Sequence, residues 1–164
     1  MKSFNAIMKT LTLAVLAIAF SGCSAQRTEP VKVASNLGIK GAPDFLFRNK
    51  GDGTFEDVTA KSGVTDTKLY YGFSVAWVDL DGDRKLDLVV ANDSRPNYVY
   101  HNKGDGTFEE AGLISGLGTN GDGRAQAYMG MAVGDYDRDG RTDFFFTTFS
   151  NDNYALHRNR GKLD

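Results

Sequence analysis

Cysteine, proline, histidine and tryptophan are all scarce in this chain, at one, three, two and one residues. The single cysteine, Cys23, excludes an intrachain disulfide, so packing or bound ions must supply the stability. No serine lies in a nucleophile-elbow motif, and the two histidines stand in like surroundings, so no catalytic constellation is legible. The net charge of −2 leaves no basic excess of the kind nucleic-acid binding needs. Helical periodicity is missing beyond the first residues. What is abundant is glycine, 19 residues, and aromatic side chains, 12% of the chain. Rich in both and poor in proline, the sequence predicts many short strands joined by tight turns, an all-β fold.

The N-terminus is different. Lys2 and Lys9 precede Leu-Thr-Leu-Ala-Val-Leu-Ala-Ile-Ala-Phe, which runs uncharged from Leu11 to Phe20. The run is too short for a membrane-spanning helix, which needs ~20 apolar residues. A basic start and a short apolar core match a signal peptide. Phe20-Ser21-Gly22-Cys23 resembles the lipobox of bacterial lipoproteins, with Phe20 where leucine is usual. The resemblance implies cleavage before Cys23, lipidation of its thiol, and stable anchoring by several acyl chains. The expected organisation is a signal-peptide helix in residues 1–22, lipidated Cys23 and a flexible tether in 23–42, and a folded part in 43–164. The expected location is a bacterial outer membrane, cell surface or periplasm.

The folded part repeats itself. Asn49-Lys50-Gly51-Asp52-Gly53-Thr54-Phe55-Glu56 recurs without change from Asn102 to Glu109. Asp79-Leu80-Asp81-Gly82-Asp83-Arg84-Lys85-Leu86-Asp87 recurs in pattern as Asp135-Tyr136-Asp137-Arg138-Asp139-Gly140-Arg141-Thr142-Asp143. Asn97-Tyr98 pairs with Asn153-Tyr154, and His101 with His157. Such a period signals a repeat architecture. Each unit reads as four strands, the plan of a propeller blade: residues 73–78, 86–91, 98–101 and 107–109 in one unit. The Gly-Asp-Gly segments read as plain hairpin turns, and Trp77 as a core residue.

Tyr71-Gly72-Phe73-Ser74-Val75-Ala76, the acidic stretch 79–87, Asn97-Tyr98-Val99-Tyr100-His101-Asn102 and Gly104–Phe108 together resemble the FG-GAP/VCBS repeat. The wording is similar to bacterial repeat proteins related to cartilage acidic protein, and the family includes the integrin α-subunit head. The resemblance covers about residues 44–159. It implies a β-propeller of four-stranded blades, of which about two are present here, and a module for protein or glycan binding and adhesion. A partial propeller leaves blade edges unpaired, so the expectation is a fragment of a longer propeller protein, the alternative being an arc that self-associates through those edges. Propellers of this repeat also occur in polysaccharide lyases and hydrolases, so the alternative is the N-terminal part of such an enzyme with its catalytic residues elsewhere.

The acidic stretches carry the chemistry. Asp135, Asp137, Asp139 and Asp143 occupy positions 1, 3, 5 and 9, with Gly140 at position 6 and the Arg141 carbonyl at position 7. Asp79, Asp81, Asp83 and Asp87 hold the same places, with Arg84 at position 6 and the Lys85 carbonyl at 7. Carboxylates at this spacing converge when the loop curls, and Ca²⁺ takes oxygen ligands of this kind at about 2.3–2.6 Å. Zinc would need Cys or His, and Mg²⁺ keeps its waters. The stretches end without the position-12 glutamate of an EF-hand, and strands flank them. Arg84 in place of glycine predicts a more strained first loop with weaker affinity. The competing expectation is that these aspartates only form hydrogen-bonded turns.

Overall fold

The computed structural model describes residues 41–149 and 151–161. The expected signal peptide, Cys23 and nearly all of the tether lie outside the described residues. The fold is all-β, built of three antiparallel sheets. The first pairs β1 (Phe47–Asn49) with β2 (Phe55–Asp57). The second holds β3 (Gly72–Val78), β4 (Asp87–Asn92), β5 (Tyr98–Asn102) and β6 (Phe108–Glu110) in sequence order. The third holds β7 (Tyr128–Gly134), β8 (Asp143–Thr148) and β9 (Ala155–His157). The four-stranded middle sheet is the complete blade expected, and its neighbours are parts of the same plan. One helical turn, α1 (Thr59–Ser62), follows β2 and ends at Gly63 with φ 79°. At four residues it is too short to leave a periodic signature in the sequence.

Burial of the middle sheet explains its composition. All six residues of β4 are buried, because successive side chains point to opposite faces and both faces are covered. Leu88 and Val90 pack with Leu46, Val64, Tyr98 and Tyr100 against the first sheet. Val89 and Ala91 pack with Val78, Leu80, Val99 and Leu117 against Tyr128, Phe144 and Phe146 of the third. Each fully buried Leu, Val or Phe contributes about 1.5–3 kcal/mol, so these two layers hold the stack together. Trp77 flanks the first layer, its ring 6.0 Å from that of Phe108.

The hairpins form as expected. Lys50 N–H donates to the Thr54 carbonyl at 3.0 Å, and Lys103 N–H to the Thr107 carbonyl at 3.0 Å. Gly51 and Gly53 sit at φ 82° and 87°, where a side chain would be strained.

The register departs from the sequence alignment in one place. Leu88 lies opposite Tyr100 in the middle sheet, while Phe144 lies opposite His157 in the third. Leu88 and Phe144 are equivalent, so His157 matches Tyr100, and Arg158 matches His101. The expected pairings of His101 with His157 and of Tyr98 with Tyr154 are therefore each wrong by one residue, Tyr98 matching Ala155. The physical reason is the β8–β9 connection, residues 149–154, which is one residue longer than the β4–β5 connection, residues 93–97.

A polar seam lies beside the first apolar layer. Asp66 is buried, accepting from the Tyr98 hydroxyl at 2.6 Å and the Tyr70 N–H at 2.9 Å. Asp44 is buried nearby, and desolvation, then the charge of Asp66, pushes its carboxyl up to about 6.

Candidate metal centre

Each acidic stretch forms the loop between the first two strands of its sheet, β3–β4 and β7–β8. The first eight residues of each leave the strand, and the ninth opens the next strand. That last residue is anchored: Asp87 is fully buried and Asp143 only 2% exposed. Asp87 Oδ2 accepts the Leu80 N–H at 3.0 Å, and Oδ1 accepts the Asn102 N–H at 2.8 Å. Asp143 repeats this with Tyr136 N–H at 3.1 Å and Asn159 N–H at 2.8 Å. A buried carboxylate with two backbone donors fixes the base of the loop.

The loop is curled by its first aspartate. Asp79 accepts from the N–H groups of Gly82, 2.8 Å, and Arg84, 2.9 Å. Asp135 accepts from Asp139, 3.0 Å, and Gly140, 2.8 Å. The curl needs left-handed residues at positions 4 and 6 of both loops. In the first they are Gly82 at φ 82° and Arg84 at φ 68°. In the second they are Arg138 at φ 62° and Gly140 at φ 85°. Each loop thus spends one glycine and one arginine on the two positions. The expectation of extra strain in the first loop fails: the second carries the same strain at Arg138. A non-glycine residue held left-handed costs about 1–2 kcal/mol.

Three carboxylates converge in each loop. Oxygens of Asp79, Asp81 and Asp87 lie within 4.8 Å of one another, and so do those of Asp135, Asp137 and Asp143. These are positions 1, 3 and 9. The fifth positions stand apart from these triads. Asp83 groups with Asp81 and His101 and is ion-paired to Lys85. Its carboxyl is held below the usual range, first by the hydrogen bond from Lys85. Asp139 is ion-paired to Arg141 and to Arg158, the latter at 3.1 Å. Burial pushes Asp139 up, but the Arg141 N–H and the Arg158 guanidinium outweigh it and the net shift is down. Lys85 and Arg141 therefore place their side chains on the fifth aspartate, a role beyond the carbonyl assigned from the spacing.

Sequence reasoning missed the residues facing the loops from the third strand. His101 Nδ1 lies 3.1 Å from Asp87 and 3.8 Å from Asp81. Its counterpart Arg158 reaches Asp137 at 2.6 Å through Nε. Asn102 and Asn159 follow them, and their side chains accept the N–H of Gly104 and Gly161 at 2.9 and 2.7 Å. The available signal was the Asn-x-Gly step, present as Asn102-Lys103-Gly104 and Asn159-Arg160-Gly161.

Three carboxylates around a common point, one of them buried, fit a hard divalent cation. An oxygen already accepting one N–H keeps a lone pair for an ion. The same geometry shows that the aspartates do act as turn acceptors.

The FG-GAP-like repeat model matches this chain over residues 37–90 and 79–146. The first match runs through β1, β2, β3 and the first acidic loop into β4, and the second runs from that loop through β7 and the second acidic loop into β8. The chain is also similar to cartilage acidic protein 1 of Homo sapiens, 43% identical over 104 residues, covering 63% of this chain and 15% of the human protein. The Xenopus tropicalis and Mus musculus proteins of the same name are each 43% identical over 58 residues, 35% of this chain and 9% of theirs. The chain thus spans a small part of the relatives it matches. Matched from residue 37 to residue 146, more than half of its length, this chain belongs to the FG-GAP-like repeat family.

Proposed function

We propose that the chain is an exported, lipid-anchored binding module, of the protein-binding or adhesion type, whose two acidic loops are Ca²⁺ cages. The observation that carries this reading is the convergence of Asp79, Asp81 and Asp87, and of Asp135, Asp137 and Asp143, each within 4.8 Å. Like charges at that separation repel unless a cation neutralises them, and the same arrangement appears twice at the same topological place. A bound ion would tie the strand-opening Asp87 and Asp143 to the outer turn, linking loop order to cation concentration. The resulting rigid loop face would dock a protein or glycan, and Cys23 would hold the module at the membrane.

The test is calorimetric titration of the chain with CaCl₂ and, separately, MgCl₂. The expected result is Ca²⁺ uptake at two sites, each lost on replacing its central aspartate, Asp81→Asn or Asp137→Asn. Absence of Ca²⁺ uptake would return both loops to the role of plain turns. For the anchor, Cys23→Ser should release the protein from the membrane fraction; retention would refute lipidation at that residue.

A further inference from the structure

The two acidic loops agree in their carboxylates and their backbone curl, and they differ in what faces them from the third strand of each sheet. Asp81 and Asp137 are the equivalent central aspartates. In each, Oδ1 accepts the N–H of the fifth aspartate, Asp83 at 3.1 Å and Asp139 at 3.2 Å. The fifth aspartates also match, since Asp83 is ion-paired to Lys85 and Asp139 to Arg141, each two residues on.

The second carboxylate oxygen of the central aspartate separates the loops. Asp81 Oδ2 lies 3.8 Å from His101 Nδ1, too far for a hydrogen bond. Asp137 Oδ2 lies 2.6 Å from Arg158 Nε, and the same guanidinium donates to Asp139 Oδ2 at 3.1 Å through Nη2. Arg158 and His101 are equivalent by register, so one position carries an imidazole over the first loop and a guanidinium over the second.

That exchange changes the electrostatics. A guanidinium is always protonated and has no lone pair to offer a metal. Laid on Asp137, it neutralises part of the charge that would attract a divalent ion, and it repels that ion at short range. An imidazole has no fixed charge and a nitrogen that can act as acceptor or ligand.

We infer that Arg158 is a tethered competitor for the ion: the second loop binds Ca²⁺ more weakly than the first, and filling it requires the guanidinium to leave Asp137. The inference rests on the reading of the loops as Ca²⁺ cages and ranks them. The order is the reverse of the one expected from Arg84. At intermediate calcium the first loop is filled, while the second is still held by its own arginine, which ties it to the end of β9. Arg158 is half exposed, so screening limits the effect to about tenfold in affinity.

The experiment is calorimetric titration of the full chain with CaCl₂. Wild type should show two sites about tenfold apart, and Asp81→Asn should remove the tighter one. Arg158→Gln should tighten the weaker site by about tenfold, Arg158→Lys should not, and His101→Arg should weaken the tighter site. Uptake that appears at the second loop only in Arg158→Gln would support the inference equally. Two sites that do not respond to Arg158→Gln, or loss of the weaker site in Asp81→Asn, would overturn it and leave the cage reading intact. Urea unfolding in EDTA supplies a readout without calcium. Arg158→Gln should destabilise the wild type but not Asp137→Asn, and equal effects in both backgrounds would mean that the guanidinium does not act on Asp137. Coupling in EDTA with no Ca²⁺ uptake by any variant would sink the cage reading and the inference with it.

Discussion

Replacing Asp81 with asparagine separates a cage from a turn. Asp81 Oδ1 accepts the Asp83 N–H at 3.1 Å, and an asparagine oxygen can accept the same bond. Only the charge is lost. In chelator, that charge is a liability: Asp81 has two carboxylate neighbours within 4.8 Å. Two unit charges at that separation repel by about 0.9 kcal/mol in bulk water and about four times more at an effective dielectric of 20. With partial exposure and screening, removing Asp81 relieves about 1–3 kcal/mol. In calcium the balance changes. At a free concentration one hundred times Kd, a site that binds only the native state adds about 2.7 kcal/mol. The variant should keep under about 0.5 kcal/mol of that increment if its affinity falls about a hundredfold. The assay is urea unfolding of wild type and variant, each in EDTA and in millimolar CaCl₂. The expected pattern is a variant at least as stable as wild type in EDTA with most of its calcium response gone. Equal destabilisation in both solutions would mean that Asp81 serves the turn alone, and the cage argument would fail at this loop.

Other positions make different demands. Asp143→Ala strips the acceptor from the Tyr136 and Asn159 N–H groups, and each buried unpaired donor costs about 1–3 kcal/mol. A loss of about 2–5 kcal/mol is expected with or without calcium, read by urea midpoint; a loss confined to calcium buffer would refute the anchoring role. Arg84→Gly and Arg138→Gly each relieve a left-handed backbone costing about 1–2 kcal/mol, less the extra chain entropy of glycine at about 0.5–1 kcal/mol. Both should therefore raise stability slightly, by similar amounts in thermal melts, whereas a gain at Arg84 only would restore the idea of one strained loop. Asp44 gives a pH dependence. Its folded carboxyl titrates near 6 against 3.8, so between those values the native state holds a proton the unfolded chain has released. Stability therefore falls as pH rises through that window, by about 3 kcal/mol at most at 1.36 kcal/mol per unit. Asp44→Asn should flatten the slope between pH 4 and 7 in melting experiments, and an unchanged slope would place its cause elsewhere.

Much of the fold was legible because strand repeats write themselves in period two and in turn residues. The all-buried β4 reads as the apolar run Leu-Val-Val-Ala, and the hairpins as Gly-Asp-Gly-Thr-Phe. Positions 1, 3 and 9 of the acidic loops were visible for the same reason: their spacing is local, and local geometry decides whether they converge. At position 5 the partners Lys85 and Arg141 lie only two residues on, but in the second loop a further partner comes from elsewhere. Arg158 reaches Asp139 from just beyond β9, far along the sequence, and only the register of β8 with β9 brings it there.

The chain by itself thus determined the strands, the turns and the two acidic curls, since each depends on residues within about ten positions of one another. Tertiary structure decided the rest. The one-residue insertion before β9 shifts Arg158, not His157, over the second loop. The left-handed pairs Gly82–Arg84 and Arg138–Gly140 show equal strain where composition suggested a difference. Which aromatic residues are covered and which stand open also follows from sheet stacking, because alternation along a strand gives two faces but cannot say which of them meets a neighbour.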